Sequence, residues 1–294
     1  MIHTTMINNK YYGNPLDYYS NLGARLVSAH SIDELETSMM ARYCRLRALI
    51  HSINRPYEDH RTSKEHVAYF EQHNPGYPGD FRETWNSIGL RQPHEIAQDV
   101  DCCFYGCSIT WGVGVPDSAV WTHQLASSMG WRYNNFAISA LSQEECVNLF
   151  MVTSRMIKMR TAIFMLPDYA RITQAFRLKG ELNFRSIAGS VDGQYDEFKQ
   201  FHKDYISLPD EYFYDRILRN LEIIARLAEL QGIRVIVSTW NGLLPQVNNL
   251  HCVEGIFGGG NHNGRDKRHP GCEWHTNTAQ HFQTVIKDMN HAGT

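Results

Sequence analysis

From residue 99 onward the chain repeats one pattern: a short continuous apolar run, a turn, then an amphipathic stretch of helical length. VDCCFYG (100–106) precedes helix-forming sequence at 118–129, and YNNFAIS (133–139) precedes a helix from Gln143 to about Lys158. TAIFML (161–166) is a third strand, stopped by Pro167. A long helix runs from 210 to Gly232, the glycine standing where a left-handed C-terminal cap belongs. IRVIVST (233–239) is a fourth strand, and a last helix follows at about 275–289. Strands without polar alternation bury both faces. Their alternation with helices therefore predicts the α/β class: a parallel sheet covered on both sides. Such sheets place their sites at the carboxyl ends of the strands. Ser108 falls just past one such end.

Residues 1–98 read differently. Ser31 and Glu34 form a capping box, and Ile32, Leu35, Met39, Tyr43, Leu46, Ile50 and Ile53 recur at helical spacing before Pro56. A shorter helix is expected at 63–72, and HNPGYPGD then breaks the chain. The division is a helical N-terminal extension, 1–98, and a second domain, 99–294. Residues 172–208 lack periodicity and read either as an insertion over one sheet edge, a lid among its uses, or as a structureless surface loop.

Net charge is −3, so charge alone gives no reason to expect nucleic acid or an anionic membrane as partner. No apolar run reaches membrane-spanning length, and the first residues, MIHTTMINNKYYGN, lack the basic-then-apolar order of a secretory signal. Seven cysteines are an odd number, and Cys102, Cys103 and Cys107 crowd one strand and its turn, where neighbours oppose each other. Reduced thiols and a cytoplasmic location are the expectation.

The stretch FYGCSITWGVG (104–114) places Ser108 between a strand and a helix start, with Gly106 and Gly112 letting the backbone bend around it. A serine hydroxyl needs a base, an orienter behind the base and donors for the oxyanion. GRDKRHPGCEWH (264–275) offers the first two: Asp266 and His269 stand three apart on one bent loop, with His275 as a rival base.

Three blocks together carry a family resemblance. GCSITWG resembles the first block of the SGNH (GDSL-type) hydrolases, with Cys107 in place of the usual Asp. NFAISALS (135–142) resembles the second block, and DKRHPG the terminal D-x-x-H-P block. NSIGLR (86–91) is similar to an Asn-x-x-Gly-x-Arg lead-in found in some branches. The resemblance spans roughly residues 86–294. It implies a three-layer αβα fold and hydrolysis of an ester, acyl or O-acetyl, on a small molecule, glycan or lipid. Ser108 would be nucleophile, His269 base and Asp266 orienter, with neither metal nor cofactor. The N–H groups of Ser108 and Ala140 would form the oxyanion hole. The third block departs from the family: where G-x-N-D is usual the chain reads MLPD, and Pro167 has neither an amide side chain nor an N–H. Tyr169, Arg171 and Asn135 are the candidates for the missing donor. Trp111, Trp121 and Trp274 are candidate pocket or core tryptophans, and Trp111, Tyr169 and Arg171 the expected substrate contacts. Two alternatives stand beside this reading. One is a non-catalytic descendant with an incomplete oxyanion hole. The other is a zinc protein built on His251, Cys252, His262, His269, Cys272 and His275, which lack paired ligand spacing.

Overall fold

The computed structural model describes residues 63–292, apart from 85, 87–89, 140, 170, 179–180, 188–202, 206, 240–243 and 256–261. The helix expected over 31–53 and residue Ala140 lie outside the described residues. The elements are α1 (Lys64–His73), β1 (Asp99–Gly106), α2 (Ser108–Trp111), α3 (Trp121–Met129), β2 (Tyr133–Asn135), α4 (Gln143–Met156), β3 (Lys158–Leu166), β4 (Ile172–Leu178), β5 (Glu181–Ile187), α5 (Asp210–Gln231), β6 (Arg234–Thr239), β7 (His251–Cys252) and α6 (Cys272–Ala292).

Five strands pair in parallel in the order β2-β1-β3-β6-β7. Helices cover both faces. Cys103, Tyr105 and Phe164 pack with Phe150 of α4 and Leu221 and Ile224 of α5. Cys102, Phe104 and Ile163 pack on the opposite face with Trp121 and Leu125 of α3 and Phe282 of α6. The strict opposition of residues 102/104 and 103/105 follows from the period of two along a strand. The fold is a three-layer αβα sandwich, as the alternation requires.

Local chemistry sets the ends of these elements. Ser142 and Glu145 cap each other at the start of α4, and Gly232 ends α5 at φ +65. β2 is shorter than its apolar sequence suggests. Asn135 Oδ1 accepts the Ala137 N–H at 3.1 Å and turns the chain out of regular pairing. The stretch 172–208 is not structureless throughout: β4 and β5 form an antiparallel hairpin, a separate two-stranded sheet. β7, only two residues long, completes the main sheet without any sequence signal. The six described cysteines are free thiols. No helix of the described residues is long and apolar enough to cross a membrane.

The chain before residue 99 is tied to the sandwich. Arg91, its side chain 2% exposed, donates to the carbonyls of Gly112 and Val115 and to Asp117 Oδ1 at 2.8 Å. It thereby clasps the loop that follows Ser108. Removing one partner of such a buried charged cluster costs about 3–5 kcal/mol.

Candidate active site

In the order β2-β1-β3, the chain leaves β1 in one direction for β2 and reaches β3 on the other side. That reversal opens a crevice at the carboxyl ends of β1 and β3. Gly106 pairs with Met165, so the Ser108 turn and the loop after Leu166 lie side by side there. Ser108 opens α2, where the first N–H groups have no intrahelical acceptor. Gly106 admits the turn: a Cβ there would stand 2.3 Å from Thr110 Oγ1 and 2.8 Å from the Met165 carbonyl oxygen.

Asp266 and His269 form one unit. Asp266 Oδ2 and His269 Nδ1 are 2.6 Å apart, and Asp266 Oδ1 accepts the N–H groups of Arg268 (3.2 Å) and His269 (3.1 Å). Burial alone would raise the Asp266 acid. The hydrogen bond and charge of His269, with the two backbone donors, outweigh it and hold the group down at about 2. The carboxylate fixes the tautomer with the proton on Nδ1, which leaves Nε2 as the basic nitrogen. Nε2 makes no hydrogen bond among the described residues.

The loop carrying this pair is fastened to the serine loop. The Arg265 N–H donates to the Gly114 carbonyl at 2.8 Å. Gly114 sits at φ +86, and a Cβ there would meet Asp266 Oδ1 at 3.0 Å, so only glycine permits the approach without strain. Lys267 turns the loop at φ +57, an uncommon conformation for a residue with a Cβ. From the other side Asn74 bridges the loop. Its amide donates to the Asn263 carbonyl at 2.7 Å, and its oxygen accepts the Cys272 N–H at 2.7 Å. The Arg265 guanidinium lies 3.8 Å from the Phe81 ring and donates to the carbonyls of Gly79 and Phe81. Lys267 pairs with Glu65 at 2.7 Å. Thus the α1 segment and the chain after it brace the Asp266–His269 loop.

The other expected residues fall as follows. Ser108 is 8% exposed, and its hydroxyl contacts Cys107 Sγ at 4.0 Å; it makes no hydrogen bond to His269. Trp111, expected at the pocket wall, is fully buried in the core with Trp121 also enclosed, and Trp274 is nearly so. Asn135 is buried, and its amide is directed at the Thr110 carbonyl (3.3 Å) and Thr122 hydroxyl (3.4 Å). Tyr169 is exposed and packs edge-on against Phe213 at 5.8 Å. Arg171 follows on the same loop; its Nη1 is buried without a hydrogen-bond partner among the described residues. The Pro167 carbonyl accepts from Gln143 Nε2 at 2.9 Å. Among the described residues, no group of three or more His, Cys, Asp or Glu side chains is placed to hold a metal ion.

His275, the rival base, is fully buried in the first turn of α6, where its Nδ1 accepts the Trp121 N–H at 3.3 Å. Burial, helped by the charges of Arg91 and His269, pushes its imidazolium form down to about 3. The unfolded chain takes up this proton near pH 6.5 and the folded chain does not. Stability should therefore be unaffected by this group above pH 6.5. It should fall by roughly 1.4 kcal/mol per pH unit as pH drops from there toward 3. Urea unfolding at pH 7, 6 and 5 should show this slope shallower by about one proton in His275→Gln; an unchanged slope would count against the assignment.

Sequence reasoning missed Arg91, Arg265, Asn74 and Gly114 as parts of the site. NSIGLR pointed to the arginine but not to what it holds. Comparison with known proteins adds little. No family model matches the chain, and no curated protein does. One solved structure with a similar course is the "putative acylhydrolase" of Bacteroides fragilis, at 13% identity and TM-score 0.34, over 68% of this chain and 91% of that one. A likeness of that depth assigns neither family nor activity.

Proposed function

We propose that the protein is a serine ester hydrolase of SGNH type, with Ser108 attacking the ester carbonyl. His269 Nε2 takes the hydroxyl proton and returns it to the leaving alcohol. Asp266 orients the ring and stabilises the imidazolium. The observation that carries this reading is the Asp266–His269 pair on a loop pinned to the segment following Ser108. Catalytic hydrogen bonds are commonly loose before substrate binds, so the Ser108 contact with Cys107 is compatible with it. The oxyanion would rest on the N–H groups of Ser108 and Ala140. With Pro167 in the place of a side-chain donor, one contact worth about 10²–10³ in rate is absent.

The expected activity is consequently slow on ordinary esters and measurable on activated ones, whose leaving group asks less of the hole. Purified protein should hydrolyse 4-nitrophenyl acetate above the buffer rate and in proportion to enzyme, with full retention after exhaustive EDTA treatment. No turnover of any activated ester would favour the non-catalytic reading, to which the Ser108–Cys107 contact and Pro167 both lend support. Loss with EDTA and recovery with zinc would favour the metal reading.

A further inference from the structure

The loop that carries Asp266 and His269 runs from Asn263 to Cys272, and one side chain bonds to both of its ends. The Asn74 amide donates to the Asn263 carbonyl and its oxygen accepts the Cys272 N–H, each at 2.7 Å. The amide also donates to the Phe70 carbonyl at 2.9 Å. The Asn74 backbone is held as well: its N–H donates to Phe70 and its carbonyl accepts the Tyr77 N–H. At 4% exposure, bulk water does not compete for these groups.

The bond to Asn263 reaches His269 through a single peptide group. The carbonyl of Asn263 and the N–H of Gly264 belong to one planar unit. Asn74 holds the carbonyl, and the N–H donates to the His269 carbonyl at 2.8 Å. A tilt of that plane moves both bonds together. His269 in turn places its own N–H on Asp266 Oδ1 at 3.1 Å and its Nδ1 against Oδ2 at 2.6 Å. On the return side the Gly271–Cys272 peptide is held in the same way, its N–H on Asn74 and its carbonyl accepting the His275 N–H at 3.3 Å. The neck has no slack. A Cβ on Gly271 would stand 2.5 Å from Asn74 Oδ1 and 2.8 Å from Asn263 Cβ, and one on Gly264 would stand 2.8 Å from the His269 carbonyl oxygen.

We propose that Asn74 is a positioning residue: it fixes the Asn263–Gly264 peptide, and through it the His269 backbone, so that the ring stays against Asp266 with Nε2 free to act as base. Its part in catalysis rests on the esterase reading above, and the test separates the two. Full-length wild type and Asn74→Ala, both labelled with ¹⁵N-histidine, are compared at mildly alkaline pH, with His269 assigned by its absence from His269→Gln. The shifts of the two ring nitrogens tell which one bears the proton. Wild type should hold the Nδ1–H form, and Asn74→Ala should move toward the Nε2–H form that an unrestrained imidazole prefers. The kcat on 4-nitrophenyl acetate should fall about 10²-fold with KM little changed, as for a reacting group displaced by about 1 Å. Where Asn74→Ala does not fold, Gly271→Ala opens the same neck through its Cβ and is read in the same way. A retained Nδ1–H form in the folded variant would overturn the proposal, whatever the rate. A moved proton with unchanged kcat would uphold Asn74 as the residue that places the ring and take His269 out of the catalytic step. No turnover by wild type would fail the esterase reading alone, and the ring nitrogens would still decide for or against Asn74.

Discussion

Ser108→Ala is expected to lower kcat on 4-nitrophenyl acetate by about 10⁴–10⁶-fold, to whatever rate the empty crevice supports. The size follows from the division of labour. In the proposed mechanism His269 and Asp266 activate one hydroxyl and hold the charge that its attack creates, and without it they have nothing to act on. The same reasoning predicts non-additivity: Ser108→Ala/His269→Ala should be no slower than Ser108→Ala alone. Multiplying losses in the double variant would show that His269 serves another step. The hydroxyl lies at the start of α2 and is nearly buried, and alanine fits the same backbone, so thermal unfolding should change little.

Asp266→Asn is expected to cost about 10⁴ in kcat with a small change in KM. An amide at 2.6 Å from Nδ1 can offer an N–H where the carboxylate accepted one, which would put the imidazole proton on Nε2 and leave Ser108 without a base. The variant also loses a carboxylate that the fold holds down at about 2. That contribution is fully present above the unfolded value near 4 and disappears as pH falls toward 2. Wild type and Asp266→Asn should therefore differ in stability at pH 6 by about 2 kcal/mol and converge near pH 2. Chemical denaturation at the two pH values checks this. A variant as active as wild type would remove Asp266 from the mechanism.

Much of the sandwich was legible because each strand is apolar throughout and each helix carries its own punctuation. Tyr105 and Phe104 could be assigned to opposite faces from spacing alone. Gly232 marked the end of α5 because only a left-handed residue closes that helix cheaply. The contact between Asp266 and His269 and the place of Ser108 at a strand-to-helix turn were legible from residue types and spacing. What fastens them was not. Arg91 reaches a loop more than 20 residues away, and Arg265 reaches carbonyls more than 180 residues away. Long side chains choosing backbone acceptors leave no periodic trace. Trp111 shows the converse: an aromatic beside Ser108 could line a pocket or join the core, and the turn drives it into the core. β4 and β5 were missed because a two-stranded ribbon lying outside the main sheet need not alternate apolar and polar residues.

Treatment of the intact protein with a fluorophosphonate, followed by proteolysis and mass spectrometry, tests the central claim most directly. An activated serine reacts because a base removes its proton, whereas an ordinary turn serine does not. The account predicts one adduct per chain on the peptide carrying Ser108, with labelling strongly slowed in His269→Ala and absent in Ser108→Ala. An unmodified Ser108 under conditions that fully label a serine-hydrolase control, or an adduct on another residue, would contradict it.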